Sequence, residues 1–183
     1  MRVIAGSLRG RRIGAPPGLG TRPTSDRVRE SLFNLLGPLP RAAAVLDLYA
    51  GSWALGIEAL SRGAAHVTFV ERDRVALRTL RGNLEALRIR DRSRVIAADA
   101  GSPTRIAPGR YDLILADPPY DATTSERIVT QGADLLAPGG VLALEHADED
   151  PAPEPPESLA VWKSRRYGRS RVTLYSRSAK GAS

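Results

Sequence analysis

The sequence contains no cysteine and only two histidines, His66 and His146, which lie far apart in the chain. Without cysteine there is neither a disulfide framework nor a thiolate zinc site, and two distant histidines do not make a metal-ligand cluster. We therefore expect no metal centre. The chemistry of this protein has to come from carboxylates, backbone groups and an organic cofactor.

Long apolar runs are also missing. No segment approaches the roughly 18 uninterrupted apolar residues that a membrane helix needs, and the first residues, MRVIAGS, lack the apolar stretch of a signal peptide. The sequence predicts a cytoplasmic protein with no membrane contact. Its 183 residues, 42% of them hydrophobic, suit one compact domain with small accessory elements.

Acidic residues are scarce at both ends of the chain. Residues 1–30 carry a net charge of +5 and residues 161–183 carry +7, whereas residues 31–160 carry −5. Two basic ends predict a grip on the phosphates of RNA, although solvated surface arginines, or pairing of Arg22 and Arg27 with nearby acids, would give the same charge. The predicted RNA-binding residues are Arg9, Arg11, Arg12, Arg22, Arg27, Arg165, Arg166 and Arg169.

Residues 1–40 are predicted to form a small N-terminal extension that helps to hold RNA. Glycines interrupt the apolar segments 3–5 and 11–13, as in a short β-hairpin. From Thr24 the apolar spacing becomes helical, and Gly37-Pro38 ends that helix. The main domain then occupies residues 41–183.

Buried strands alternate with amphipathic helices between residues 43 and 146. The predicted strands are 45–48, 67–70, 95–97, 111–116 and 141–144, and the predicted helices are 54–62, 73–87 and 125–136. A turn at Pro138-Gly139-Gly140 is expected to open the last of these strands. Apolar strands alternating with helices predict a parallel sheet covered on both faces, which is a doubly wound α/β fold. Strands 159–162 and 172–175 have no helix between them and predict a C-terminal antiparallel hairpin.

The segment from Val45 to Gly56 predicts a strand, a turn of small residues and a helix, so backbone amides at the helix start can approach a ligand. A P-loop needs Lys and then Ser or Thr after its second glycine, but Ile57 and Glu58 stand there. A dinucleotide-binding turn needs glycine where Trp53 lies. Nucleoside triphosphates are excluded, and a nicotinamide oxidoreductase is poorly supported.

S-adenosylmethionine fits this turn better, because it has no phosphates and carries positive charge. Asp47 suits its ammonium and sulfonium groups, Glu71 lies where a carboxylate accepts ribose hydroxyls, and Asp99 can receive the adenine amino group. Each acid alone is equally explained as a helix cap or a solvated loop residue. The predicted cofactor-binding residues are Asp47, Tyr49, Ala50, Gly51, Ser52, Glu71, Arg72, Asp99 and Ala100.

A second motif, Asp117-Pro118-Pro119-Tyr120, directly follows the predicted strand 111–116. It is also explained as a proline-stiffened exit from a strand, but the carboxyl ends of parallel strands are where ligands bind. Asp117 and the Pro118 carbonyl can each accept one N–H of an exocyclic base amine, while Tyr120 stacks on the flipped-out base. Asp117, Pro118, Pro119 and Tyr120 are therefore the predicted catalytic residues.

Several segments resemble the RsmD family of bacterial 16S rRNA guanine-N2 methyltransferases. They are 22–30 (RPTSDRVRE), 46–52 (LDLYAGS), 58–64 (EALSRGA), the Asp-Pro-Pro-Tyr motif, the opening 2–6 (RVIAG) and Tyr167-Gly168. The Asp-Pro-Pro-Tyr motif is shared among amino-group methyltransferases, whereas the Arg-Pro-Thr segment is more specific. The resemblance implies a class I, Rossmann-like fold with a seven-stranded, mostly parallel sheet. It also implies a monomeric enzyme that uses S-adenosylmethionine to methylate one guanine in the small ribosomal subunit.

The family pattern has glycine where this chain has Trp53. Either the indole points away from the cofactor, or it narrows the pocket and weakens cofactor binding, because a bulky residue lacks glycine's backbone freedom. Two alternatives follow from the motifs. One is an adenine-N6 methyltransferase acting on DNA or RNA, and the other is a weakened RNA-binding or ribosome-assembly protein with the same fold.

Overall fold

The computed structural model describes residues 1–15, 26–40, 42–51, 54–101, 103, 107–119 and 121–178. Within them, seven strands form one sheet in the order β3-β2-β1-β4-β5-β7-β6. Strands β1 to β5 run parallel, and β7 is antiparallel to β5 and β6. The strands are β1 (Ala44–Leu48), β2 (His66–Glu71), β3 (Ser93–Ala97), β4 (Tyr111–Ala116), β5 (Leu136–Ala147), β6 (Leu159–Tyr167) and β7 (Ser170–Arg177). The predicted doubly wound sheet with its C-terminal hairpin is confirmed.

Helices cover both faces of this sheet. They are α1 (Asp26–Leu36), α2 (Ala54–Ser61), α3 (Arg74–Ala86), a 3-10 turn (Arg90–Arg92) and α4 (Ala122–Leu135). One buried cluster joins the sheet to α1, α2 and α3, and a second joins its other face to α4. The central strands are buried on both faces, which is why they read as continuous apolar runs in the sequence.

The fifth strand and the C-terminal hairpin are longer than predicted. Instead of opening β5, Pro138-Gly139-Gly140 lies inside it, between the pairing of Leu136 with Tyr111 and that of Val141 with Leu113. Gly139 has φ +77°, and a Cβ at Gly140 would lie 2.9 Å from two carbonyl oxygens. The glycines thus let the chain bulge and resume pairing, so the predicted turn is a bulge within one strand. Helix α4 ends accordingly at Leu135, one residue before the predicted end.

The N-terminal segment forms a short antiparallel pair, with Arg2 bridging Arg12 and the Val3 amide donating to the Arg11 carbonyl at 3.0 Å. Val3 and Ile13 are buried in the same cluster as α1, α2 and α3. The segment therefore shares the core of the main sheet, and the boundary at residue 40 stays a prediction about function. Thr24 and Ser25, the expected helix caps, lie outside the described residues.

Connectivity fixes which residues lie at each edge of the sheet. Each crossover helix starts beyond the carboxyl end of one parallel strand and returns toward the amino end of the next. The first residues of α2 and α3 therefore lie at the carboxyl edge, and their last residues, Ser61 and Ala86, lie at the opposite edge. Ligands in such folds bind at the carboxyl edge.

Candidate functional site

Four acidic residues meet at the carboxyl edge of neighbouring strands β3, β2, β1 and β4. Asp47 is the penultimate residue of β1, Glu71 ends β2, Asp99 follows β3 and Asp117 follows β4. Because the register aligns Leu48 with both Val70 and Ala116, the acids lie at one level across the sheet. The structure thus brings together the predicted cofactor-binding and catalytic carboxylates.

Asp47 is buried beneath the turn that follows β1, with only 2% of its surface exposed. Its Oδ2 accepts the amide of Gly56 at 2.9 Å. Burial raises the pKa of Asp47 to about 8, partly opposed by that amide and reinforced by Asp117 and Glu71. A Cβ at Gly56 would lie 2.7 Å from this carboxylate and would overlap the Phe69 ring. Asp47 therefore holds the start of α2 against β1, and its predicted contribution to cofactor binding acts through the turn.

Glu71 connects the same turn to the start of α3. Its Oε2 accepts the Gly51 amide at 2.9 Å, and its Oε1 accepts the amides of Arg72 and Asp73, both at 2.7 Å. Asp73 in turn caps α3 by accepting the Ala76 amide. One carboxylate thus orders both backbone segments that border the predicted ribose position.

Asp99 is largely exposed, as a residue that meets a ligand has to be. It accepts the Gly101 amide at 2.9 Å and the Arg72 guanidinium at 2.7 Å. These two bonds hold the pKa of the Asp99 carboxyl below its usual value. Asp99 is therefore a carboxylate at neutral pH and can accept a further N–H, while the neighbouring Ala100 is buried.

The turn after β1 has an unusual backbone path. Tyr49 has φ +57° and Gly51 has φ +31°, and the Ala50 amide donates to the Val70 carbonyl at 3.1 Å. A non-glycine residue in the left-handed region is uncommon and marks a held conformation. Burial and the nearby Asp99 raise the pKa of Tyr49, so its ring faces the Asp99 side of the site. The predicted residues Ser52 and Trp53 lie outside the described residues.

The second motif leaves β4 without regular structure. Asp117 is half-buried, Pro118 is buried and Pro119 is exposed, and Tyr120 lies outside the described residues. Asp117 is near enough to Asp47 to raise the pKa of that residue. The motif is therefore next to the turn that would hold the cofactor.

Arg127 on α4 also faces this site, and the sequence reasoning missed it. Its Nη1 would lie 3.4 Å from a Cβ at Gly101, and its charge lowers the pKa values of Asp99 and Asp121 and opposes the rise at Tyr49. Arg127 belongs to no motif, so only the fold reveals that it lies opposite Asp99.

The predicted RNA-binding arginines lie at two separate edges. Pairing of β6 with β7 places Ser164 level with the end of β4, so Arg165, Arg166 and Arg169 project beyond the carboxyl edge and are exposed. Arg166 pairs there with Asp148 at 2.7 Å. By contrast, Arg11 donates to the carbonyl of Ala86, at the last turn of α3 and the opposite edge.

The other predicted RNA-binding residues are placed as follows. Arg9 and Arg12 are exposed on the N-terminal pair beside Arg11, and Arg27 is exposed on α1. Arg22 lies outside the described residues. The N-terminal and C-terminal arginines therefore do not form one continuous patch around the site.

Neither a metal-ligand cluster nor a membrane helix occurs in the described part of the chain. That part contains no group of three or more His, Asp or Glu side chains arranged to hold a metal ion. No helix in the same residues is long and apolar enough to span a bilayer.

A family model described as Conserved hypothetical protein 95 matches residues 1–176. The chain belongs to this family. Its relatives outside this chain include the Escherichia coli protein named Ribosomal RNA small subunit methyltransferase D, 36% identical over 185 residues, with 100% of this chain and 93% of that protein covered. The YlbH protein of Bacillus subtilis is 39% identical over 180 residues and matches 96% of this chain and 98% of its own.

Solved structures give the same result for this member of the Conserved hypothetical protein 95 family. The yhhF protein of Escherichia coli superimposes with a TM-score of 0.87 at 37% identity, covering 98% of this chain and 99% of that one. TrmN from Thermus thermophilus matches with a TM-score of 0.70 at 26% identity, over 82% of this chain and 48% of its own. The predicted Rossmann-like methyltransferase fold is confirmed.

Proposed function

We propose that this protein transfers a methyl group from S-adenosylmethionine to the exocyclic N2 of a guanine in the 16S rRNA of the small ribosomal subunit. The observation that carries the proposal is the placement of Asp117-Pro118 beside the acid-lined turn, in a chain that matches an rRNA methyltransferase over its whole length. The chain acts, on this proposal, as a monomer in the cytoplasm.

The residues at the carboxyl edge fit the proposed cofactor. Glu71 and Asp99 are polar acceptors on neighbouring strands, and the edge bears net negative charge where the cofactor carries positive charge. Tyr49, Ala50 and Gly51 present backbone groups in the held turn, and Arg72 fixes Asp99. When bound, S-adenosylmethionine supplies an electrophilic methyl group on a sulfonium centre.

The chain's own part in the reaction is to orient and desolvate the target amine. An exocyclic amine is a poor nucleophile because its lone pair is delocalised into the base. Asp117 and the Pro118 carbonyl accept its two N–H groups and so direct the nitrogen lone pair away from the ring plane. As positive charge develops on nitrogen, the nearby Asp117 carboxylate stabilises it and takes up the released proton, directly or through water. Tyr120 is proposed to stack on the base.

The proposal is tested by mass spectrometry of nucleosides from small-subunit rRNA of cells lacking this protein. We expect loss of one N2-methylguanosine, restored by the wild-type chain and not by Asp117→Ala. Loss of N6-methyladenosine instead would establish the adenine alternative. Unchanged nucleosides, together with salt-dependent RNA binding by the purified chain, would support the non-catalytic assembly protein.

A further inference from the structure

Trp162 is the most conspicuous side chain outside the site. Along with Val161, it is a large hydrophobic residue exposed in the described part of the chain, with 45% of its surface accessible. Tryptophan is seldom left this open, because its ring buries a large apolar area when it finds a partner. An exposed indole on an ordered strand therefore indicates a surface that contacts another molecule.

The backbone presents this indole by a bulge. Val161 pairs with Tyr175 and Lys163 pairs with Leu174, so Trp162 has no position opposite it on β7. An extra residue of this kind bends the strand and redirects its side chain. Since β6 is the edge strand of the sheet, the indole stands at the rim of the molecule.

Lys163 holds the ring in place. Its Nζ lies 3.9 Å from the centroid of the Trp162 ring and donates to the Leu35 carbonyl at 2.7 Å. The carbonyl belongs to the last turn of α1, where a cation is favoured. Two anchored contacts leave the indole less rotational freedom to lose when a partner stacks on it.

The charge around Trp162 selects the partner. No acidic residue occurs after Glu157, and β6 with its turn carries Lys163, Arg165, Arg166 and Arg169. Charged residues along an edge strand oppose the addition of a strand from another protein. A polyanion that also has flat apolar faces satisfies both the basic edge and the indole, and RNA is such a partner.

We infer that Trp162 stacks on an unpaired base of the RNA substrate while the basic end of the β6–β7 hairpin holds the adjoining backbone. The inference rests on the proposed function. Strand β6 lies three strands from β4, so at about 4.8 Å per strand the indole is roughly 15 Å from the end of β4. Trp162 therefore contacts a nucleotide neighbouring the target and contributes to choosing the substrate.

The test compares Trp162→Ala, Trp162→Phe and the adjacent control Val161→Ala in the full chain. Binding is measured to poly(A) RNA, which has bases, and to heparin, which has negative charge and no bases. We expect Trp162→Ala to weaken poly(A) binding about 5- to 100-fold, the range for loss of one stacked base. Trp162→Phe should retain most of the affinity, and heparin binding should be unchanged in every variant.

Fluorescence gives a direct second readout. The chain has two tryptophans, so in the Trp53→Phe background Trp162 is the sole emitter. We expect poly(A) to quench it and heparin to leave it unchanged. Equal poly(A) affinities for Trp162→Ala and Val161→Ala, a matching loss for heparin, or self-association that disappears in Trp162→Ala would each overturn the inference.

Methyl transfer to small ribosomal subunits by the wild-type chain is measured in parallel with labelled S-adenosylmethionine. Absence of transfer would refute the proposed function and leave the stacking result standing. Transfer that proceeds while Trp162→Ala binds poly(A) normally would refute the stacking alone.

Discussion

Arg29 and Glu58 form an ion pair in which both side chains are completely buried, with 3.7 Å between Nε of the arginine and Oε2 of the glutamate. Glu58 also accepts the amides of Ile4 at 2.8 Å and Ala5 at 3.0 Å, and the guanidinium of Arg62 at 2.8 Å. One carboxylate on α2 therefore binds α1 and the N-terminal segment to the helix that begins at the cofactor turn.

Replacing Glu58 should destabilise the fold severely. Glu58→Ala leaves the Arg29 charge buried without its partner, together with two amides, and such changes cost about 3–5 kcal/mol. We expect the free energy of unfolding, measured by urea denaturation followed by circular dichroism, to fall by about that amount.

The control for Glu58 is Glu85→Ala. Glu85 pairs with Arg90 on the surface, where both side chains are more than half exposed, so its removal should cost less than about 1 kcal/mol. Similar effects for Glu58→Ala and Glu85→Ala would show that the buried pair does not hold the N-terminal segment.

The burial of Asp47 predicts a pH dependence of stability. Its pKa is about 8 in the folded chain, against 3.8 for an ordinary aspartate. Between those values the folded protein keeps a proton that the unfolded chain has released, so this group lowers the free energy of unfolding as the pH rises, by up to roughly 1.4 kcal/mol per pH unit.

Asp47→Asn removes this titration while keeping an acceptor for the Gly56 amide. Urea denaturation at several pH values between 4 and 8 should give a shallower decline in stability for Asp47→Asn than for the wild type. The surface variant Glu149→Gln should follow the wild-type curve. Parallel curves for Asp47→Asn and the wild type would mean that Asp47 is ionised in the fold.

The fold was largely readable because alternating apolar strands and helices are local patterns. The same reasoning misplaced the ends of β5 and the hairpin, since pairing across a Pro-Gly-Gly bulge depends on the neighbouring strand. Asp47 was recognised as a site residue, but its burial under Gly56 depends on packing that no motif records.

Other site features depend on long-range contacts. Glu58 receives amides from residues more than 50 positions away, so its role appears only in the folded chain. A local signal did exist, because Glu58 is an acid within the otherwise apolar stretch of α2 and such an acid needs buried partners. Arg127 gave no signal, since α4 brings it to Asp99 without a motif.

Glu71 is predicted to support cofactor binding. Glu71→Gln replaces one acceptor oxygen by a donor, so the side chain can no longer accept from Gly51, Arg72 and Asp73 at once. Losing charge-assisted bonds of this kind should weaken S-adenosylmethionine binding about 10- to 100-fold by isothermal titration calorimetry. Poly(A) binding should be unaffected, and Glu85→Gln should bind the cofactor normally; wild-type affinity in Glu71→Gln would remove Glu71 from the site.

Asp117 is predicted to act in the methyl-transfer step and not in cofactor binding. Asp117→Asn keeps an acceptor oxygen but loses the charge that stabilises the developing ammonium, so turnover should fall about 100-fold or more. Labelled methyl transfer to small ribosomal subunits measures the rate, and calorimetry should find cofactor affinity within about twofold of wild type. Glu126→Gln, an exposed acid on α4, is the matched control, and equal turnover in the two variants would exclude Asp117 from the reaction.

The arginines at the two edges of the sheet are predicted to contact different parts of the RNA. Removing one arginine–phosphate interaction should reduce the slope of log affinity against log salt by up to about 0.7–0.9. Replacing Arg165 and Arg169 with glutamine removes charge beside the catalytic edge, so it should lower both RNA affinity and the methyl-transfer rate. Replacing Arg9 and Arg12 acts at the far edge and should lower affinity alone.

The matched control for these pairs is Arg78→Gln with Arg81→Gln on the exposed side of α3, for which no change in slope is expected. If neither arginine pair changes the slope, both basic ends are solvated surface. If only the C-terminal pair does, RNA is held entirely at the catalytic edge, and the N-terminal segment serves the fold through Glu58, Val3 and Ile13.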